Sequence, residues 1–349
     1  MAKFNPLKIK ELINETSDAV SITFEIPNEL KNDFKFIAGQ YITIKTTLNN
    51  EEVRRAYSIC SSPKNGTITV AVKRIEKGNF SVFATTKLKQ GDVLEISAPE
   101  GNFLLNTNPI HEKNYLSFTA GSGITPIMAM VKDVLESEPN STFTLVFGNK
   151  TKSNALFLNQ LNTLKNKYTN RLILHYIFSQ EQTANALYGR IDSWNVKTII
   201  SDANKDFDEV FLCGPEQMIH TVKNTLLQNN FDKSKIHFEL FTSSHKNEEA
   251  SENSDLDGKS EITILLDDET TTFTMNQTDN ILKAALAEDL DAPYSCQGGI
   301  CSSCLAKVTE GKAVMKTNNI ISEEELAQGY ILTCEAHPTT AKIVIDYDI

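Results

Sequence analysis

The sequence predicts a multidomain chain: an antiparallel β-barrel, then a doubly wound α/β domain, then a small α+β domain. The barrel follows from short runs of alternating apolar and polar residues, punctuated by turn signals, over residues 7–98. The α/β domain follows from strands that alternate with amphipathic helices after residue 110. The last domain follows from a cysteine-bearing loop, residues 296–304, set among short strands. At 349 residues the chain exceeds what one hydrophobic core serves. The expected domains are 1–106, 107–241 and 261–349, with a linker over 242–260.

In the barrel, residues 19–26 alternate as a half-buried strand does. Residues 41–47, 55–59, 67–74 and 93–98 repeat the character, separated by Asn49-Asn50, Lys64-Asn65-Gly66 and Gln90-Gly91-Asp92. Beyond it, residues 115–120 read as a buried strand, and Pro126 is expected to open a helix. Ile127, Met130, Val131, Val134 and Leu135 give that helix one apolar face. Strands at 143–147, 172–178 and 209–213 follow, with helices carrying Phe157, Leu161 and Leu164, and Met218, Val222 and Leu226. Such sheets bind ligands beyond the carboxyl ends of their strands.

From Thr242 to Ser260 almost nothing apolar is available for burial, which predicts a flexible linker. Strands are then expected at 262–266, 271–274, 305–309, 330–334 and 343–347, with a helix at 281–288. Ser322-Glu-Glu-Glu325 has the form of a capping box for one more short helix.

Composition narrows the function. No apolar run approaches the roughly 18 residues that span a bilayer, and the N-terminus lacks a signal peptide's apolar core. A cytoplasmic location is expected, with no membrane partner. The net charge of −11 is concentrated in residues 246–349, which carry 20 acids against 7 bases. That balance disfavours nucleic acid. It leaves two readings of the acidic face, docking on a basic partner or simple solubility. The six histidines show no metal spacing, and no hydrolase motif is present.

Cys296, Cys301 and Cys304 are spaced Cys-x4-Cys-x2-Cys, and Cys334 follows thirty residues later. This is the plant-type spacing for a [2Fe–2S] cluster held by four thiolates. Gly298, Gly299, Ser302 and Ser303 are small enough for backbone amides to approach the sulfides. A zinc site generally pairs two short knuckles, and only one Cys-x2-Cys exists here. Cys60 and Cys213 remain as free thiols.

Gly121-Ser-Gly-Ile-Thr-Pro126 lies between the first strand and helix of the α/β segment, where glycines let backbone approach a pyrophosphate. It departs from the dinucleotide fingerprint: Pro126 replaces the third glycine, and the second strand ends Phe147-Gly148-Asn149 without an acid.

Arg55-Ala-Tyr-Ser58, Gly78-Asn-Phe-Ser81, Pro99-Glu-Gly-Asn-Phe103, Gly121–Pro126, Cys213-Gly-Pro215 and Glu239-Leu-Phe241 stand in the order seen in the ferredoxin–NADP reductase superfamily. The C-terminal segment resembles a plant-type ferredoxin, which implies a β-grasp fold. Together they resemble the reductase component of a multicomponent oxygenase.

The resemblance implies FAD as cofactor, a reduced nicotinamide as donor and a di-iron oxygenase component as acceptor. A Rieske dioxygenase or desaturase remains open as acceptor, as does a non-catalytic carrier. It implies that Arg55 pairs with the flavin pyrophosphate, that Tyr57 packs on the isoalloxazine and that Ser58 lies near N5. Lys73, Gly78, Phe80 and Ser81 resemble the segment that wraps the pyrophosphate and adenylate, although Lys73 and Phe80 read equally as ordinary strand and turn residues. Gly121, Gly123 and Thr125 resemble the nucleotide-phosphate site. Cys213, Gly214 and Pro215 end the strand where nicotinamide is expected, and Glu239 and Phe241 resemble the pair that flanks the flavin. Electrons then run from NAD(P)H through FAD and the cluster to the external acceptor.

The nucleotide preference is read from Phe178-Ser179-Gln180-Glu181. An uncharged Gln180 and an acidic Glu181 favour NADH. Arg190 can supply the missing cation, and the resemblance implies NADPH, with Ser179 and Arg190 reading its 2′-phosphate.

Overall fold

The computed structural model describes residues 3–241, 258–318 and 320–349. The chain divides into two compact units, one holding residues 5–53 and 57–241, the other carrying the C-terminal segment together with Phe4 and Arg54–Ala56.

The first unit begins with β1 (Phe4–Thr16), β2 (Ala19–Glu25), β3 (Tyr41–Leu48), β4 (Glu51–Ser58), β5 (Ile68–Lys73), helix α1 (Asn79–Thr86) and β6 (Val93–Ser97). The strands form one sheet in the order β4-β3-β6-β1-β2-β5. A bridge between Ile59 and Val70 joins its two edges, which closes it into a barrel. Leu7, Ile22, Phe24, Ile42, Ile44, Val70 and Ile96 fill the interior. β1 is not among the strands expected from the sequence, because register shifts after Ile9 and Asn14 break its period of two.

The α/β part consists of β7 (Asn114–Ala120), α2 (Ile124–Ser137), β8 (Thr142–Asn149), α3 (Leu158–Lys167), β9 (Leu172–Phe178), β10 (Leu187–Tyr188), α4 (Ser193–Ala203), β11 (Glu209–Gly214), α5 (Glu216–Gln228) and β12 (Ile236–Leu240). The sheet runs β10-β9-β8-β7-β11-β12, and all of its pairings are parallel. The order reverses at β7, so β7 and β11 flank the switch point where doubly wound sheets bind ligands. α2 starts at Ile124, so Pro126 is its third residue and not its first; the Gly121–Gly123 turn leads directly into the helix. The helix is apolar well beyond one face, with Ile124, Ile127, Met128, Met130, Val131 and Val134 all inaccessible to solvent. Its core also includes Ala19, Ala38, Cys60 and Ala71 from the barrel. These barrel residues therefore pack into the α/β core, while the barrel interior keeps a core of its own.

The other unit contains β13 (Lys259–Leu266), β14 (Glu269–Asn276), α6 (Ile281–Ala287), β15 (Leu305–Glu310), β16 (Ala313–Met315), α7 (Glu323–Ala327), β17 (Tyr330–Leu332), β18 (Ala336–Pro338) and β19 (Lys342–Asp346). Five strands form a mixed sheet, β14-β13-β19-β15-β17, and β16 pairs with β18. α6 packs on the sheet through Ile281, Leu282 and Ala285 in a core of its own. The capping box forms at Ser322 and Glu325 as expected. Most of the linker expected at 242–260 lies outside the described residues, and β13 already begins at Lys259.

Candidate functional site

β4 presents the first three residues of the site. Arg55 is exposed, Tyr57 half-buried and Ser58 buried. Arg55 donates from Nη1 to its neighbour's carbonyl, Arg54 O, at 2.6 Å. The Tyr57 ring rests on Phe80, with centroids 5.6 Å apart. Phe80 is only 1% exposed. It is a core side chain that backs Tyr57, which matches the ordinary structural reading of this residue. Ser81 Oγ accepts from Ile75 N at 3.1 Å and closes the turn before α1. A Cβ on Gly78 would collide with that hydroxyl. No side chain caps α1, so none competes with an anion for its leading N–H groups. Lys73 lies 3.7 Å from Asp18 Oδ2 and donates to Asn154 O at 3.4 Å.

The nucleotide turn is built by close approach. Gly121 has φ +58° and open space where a Cβ would be. A Cβ on Gly123 would come within 2.5 Å of the Cys213 carbonyl carbon and 2.8 Å of Gly214 N. Only glycine lets this turn seat on the end of β11. Thr119 fixes the same strand end by donating from Oγ1 to Cys213 O at 2.7 Å. Sequence reasoning missed Thr119; a threonine closing a buried strand is the one signal it left. Thr125 Oγ1 donates to Ser122 O at 3.0 Å, so its hydroxyl shapes the turn. Pro215 then caps α5.

Three residues from distant parts of the sequence meet at the switch point. Cys213 is fully buried and pairs in register with Glu239 on β12. Ser58 Oγ donates to Glu239 Oε2 at 3.5 Å, a long and weak bond. Glu239 as a residue is partly exposed, although its carboxyl is closely surrounded by protein atoms. Burial pushes that carboxyl up to about 8, against the opposing pull of the Ser58 hydroxyl. Burial and the Glu239 carboxylate together raise the Cys213 thiol well above its ordinary value. Cys213 is therefore a neutral packing group at physiological pH. Phe241 packs, partly buried, against the α/β core.

Ser179 and Arg190 are brought to one sheet edge by β10, which the sequence did not reveal. Tyr188 pairs with Phe178, and Gly189 N donates to Phe178 O at 2.9 Å. Arg190 is exposed. Glu181 Oε2 accepts from Lys152 N at 2.6 Å.

In the C-terminal unit, Cys301, Cys304 and Cys334 are buried and Cys296 half-buried. Cys296 Sγ lies 3.1 Å from Cys301 Sγ and accepts from Gly298 N at 3.4 Å. Thr333 ties the neighbouring Cys334 to Cys304 by donating from both N and Oγ1 to Cys304 O, each at 3.1 Å. Gln297 and Gly299 take positive φ, which curls the loop around its sulfurs. Among the described residues no three His, Cys, Asp or Glu side chains form a single-ion site. The Cys-x4-Cys-x2-Cys spacing with a distant fourth cysteine is what suits four thiols to a binuclear cluster. The hydroxyls of Ser295 and Thr317, on either side of the loop, are buried without a protein partner, as polar groups near inorganic sulfide can be.

Comparison with known proteins agrees with this architecture. Residues 6–104 match the oxidoreductase FAD-binding domain, 118–224 the oxidoreductase NAD-binding domain, and 264–339 the 2Fe-2S iron-sulfur cluster binding domain. The chain is 40% identical to a 1,2-phenylacetyl-CoA epoxidase subunit of Escherichia coli (strain K12), over 100% of this chain and 99% of that protein. It is 31% identical to the ferredoxin reductase component of 3-ketosteroid-9-alpha-monooxygenase from Rhodococcus rhodochrous, over 98% and 96% of the two chains. Among solved structures, phthalate dioxygenase reductase shares the fold, with a TM-score of 0.62 at 22% identity over 98% of both chains. No helix among the described residues is long and apolar enough to cross a membrane.

Proposed function

Because the chain belongs to the family of reductase components that join FAD-binding, NAD-binding and [2Fe–2S] domains, we propose that it draws electrons from NADPH and delivers them to the oxygenase component of a phenylacetyl-CoA epoxidase. When bound, FAD would let a two-electron hydride donor supply single electrons, which the cluster would pass on one at a time.

The chain's own residues bind, orient and handle one proton. Arg55 and the uncapped start of α1, with Gly78 and Ser81, hold the flavin diphosphate, and Lys73 stands at the edge of this segment. Tyr57, held by Phe80, supports one ring face, and Phe241 covers the other until nicotinamide takes its place. Gly121, Gly123 and Thr125 form the nucleotide-phosphate turn, while Gly214 and Pro215 leave room for nicotinamide beside Cys213. Ser58 and Glu239 manage the proton, because a carboxyl with its pKa near 8 is largely protonated at neutral pH. Cys296, Cys301, Cys304 and Cys334 hold the cluster. Ser179 and Arg190 read the 2′-phosphate.

The observation that carries the reading is the meeting of Ser58, Cys213 and Glu239 at the switch point of the sheet. The 40% identity over the full chain supports the choice of acceptor. The 31% relative keeps a different hydroxylase as the second reading. All six cysteines are unpaired, which supports the cytoplasm as location. The test is reconstitution with a phenylacetyl-CoA epoxidase oxygenase component, comparing NADPH with NADH. Coupled product formation with higher kcat/KM for NADPH is expected. NADPH oxidation without coupled product would remove the acceptor assignment, and a preference for NADH would remove the Ser179–Arg190 assignment.

A further inference from the structure

Helix α2 is apolar along most of its length, yet Lys132 lies within it, partly buried. Burial lowers the pKa of its ammonium, the direction expected where a charge gives up water. A lysine in such a setting is costly unless its proton donors are used. Nζ donates to Cys60 O at 2.9 Å. Cys60 stands two residues beyond Ser58 and is itself held in the barrel, its N–H donating to Thr69 O at 2.8 Å and its Sγ to the same carbonyl at 3.2 Å. The other charged groups that bear on the ammonium are Glu136, one turn along the helix, and Glu15 on β1.

The same barrel turn grips the helix a second time. Ser62 Oγ donates to Glu136 Oε2 at 2.5 Å, and Lys64 Nζ donates to Glu136 O at 3.0 Å. Lys132 and Glu136 are four residues apart and so share one helical face. One end of α2 therefore carries the nucleotide turn, and the face two turns further on, about 12 Å along the axis, is fastened to the chain leaving the flavin strand.

We propose that Lys132 is a positioning residue for hydride transfer: by tying α2 to the Cys60 carbonyl it sets the distance between the nucleotide turn at Gly121–Thr125 and the flavin strand at Tyr57–Ser58. The inference rests on the nicotinamide–flavin reading above. Hydride transfer needs the reacting atoms within about 3–3.5 Å, so a tie that fixes helix against strand acts on the rate of the step more than on cofactor affinity. Apolar packing along α2 resists separation of the two parts, but a smooth apolar contact does not fix sliding along the helix axis. A directed N–H···O bond does.

The test uses the whole protein with both cofactors bound. Lys132→Met keeps the aliphatic stem and removes the donor. Flavin content and cluster absorbance are expected to stay normal. The limiting rate of flavin bleaching at saturating NADPH or NADH is expected to fall about tenfold or more, while bleaching by dithionite is unchanged. Lys132→Arg, which restores a donor, is expected to recover most of the rate, and Ser62→Ala to show a smaller loss in the same direction. A normal limiting rate in Lys132→Met overturns the inference. So does loss of bound flavin, an equal slowing with dithionite, or failure of Lys132→Arg to recover, since each marks a merely structural lysine. If the unaltered protein oxidises neither nucleotide, the nicotinamide–flavin reading falls and this inference with it.

Discussion

Replacing Gly123 by alanine probes one of the close backbone approaches among the described residues. The added Cβ would lie 2.5 Å from the Cys213 carbonyl carbon and 2.8 Å from Gly214 N, whereas ordinary contact begins at 3.4 Å. The neighbours are backbone, so no side chain can swing aside. The nucleotide turn and the end of β11 must therefore separate by about 0.9 Å. Overpacking of this kind costs about 1–3 kcal/mol of stability. The catalytic effect is of similar size: a misplacement of about 1 Å can cost about 10²-fold in rate, equivalent to about 2.7 kcal/mol in the barrier. Rapid-mixing measurement of flavin bleaching is expected to show a loss of that order in kcat/KM with NADPH. Dithionite bleaching and both cofactor contents are expected to match the unaltered protein. Wild-type kcat/KM in Gly123→Ala would refute the claim that this approach positions the nucleotide.

Serine at Cys296, Cys301, Cys304 or Cys334 is expected to abolish the iron–sulfur absorbance while NADPH oxidation with an artificial two-electron acceptor persists; iron and sulfide retained in stoichiometric amounts by a variant lacking all four would exclude the ligand assignment. Arg190→Ala is expected to lower kcat/KM for NADPH by about tenfold, one charged hydrogen bond being worth about 1.5–3 kcal/mol, and to leave NADH nearly unchanged; an equal loss with both nucleotides makes Arg190 structural. Because burial raises the Glu239 carboxyl to about 8, its proton is lost as pH rises through that value, and the limiting rate of flavin bleaching is expected to fall with it. Its contribution to stability runs the same way, present below the unfolded carboxylate's pKa and lost as pH rises through about 8. In Glu239→Gln the rate should be flat over that range, and an unaltered pH profile would assign the titration elsewhere.

The parts of this site that were legible in the sequence are those whose chemistry forces a residue type at a fixed spacing. The four cysteines and the glycines of the nucleotide turn are of that kind. What stayed hidden depends on register or on a single long-range bond. β10 has only two residues, both exposed, so no periodicity marks it, yet it brings Arg190 to the edge beside Ser179. α4 did leave a signal, Asp192 capping Asn195 N and the buried pair Val196 and Ile199, but Trp194 and Ile200 fall off that face and blur it. The run from Ile236 to Leu240 is short for a strand and alternates weakly, so Glu239 was visible through family resemblance alone. Lys132 looked like an ordinary charged position on an amphipathic helix. Only the structure shows that this helix has almost no solvent face for it to occupy.

The distribution of cores matches the two kinds of electron step. Hydride transfer moves a nucleus as well as electrons and so demands contact distances held to a fraction of an ångström. The barrel and the α/β sheet meet that demand where Ala19, Ala38, Cys60 and Ala71 of the barrel pack into the α/β core among the residues of α2. Small side chains at these positions let the helix come close, and the polar ties from Cys60, Ser62 and Lys64 fix its register. The cluster domain's interior runs from Ile262 and Ile264 through Ile281 and Leu282 to Ile343 and Ile345, and it includes Cys304 and Cys334. Single-electron transfer forms no bond to a moving nucleus, so it places no such demand on contact distances.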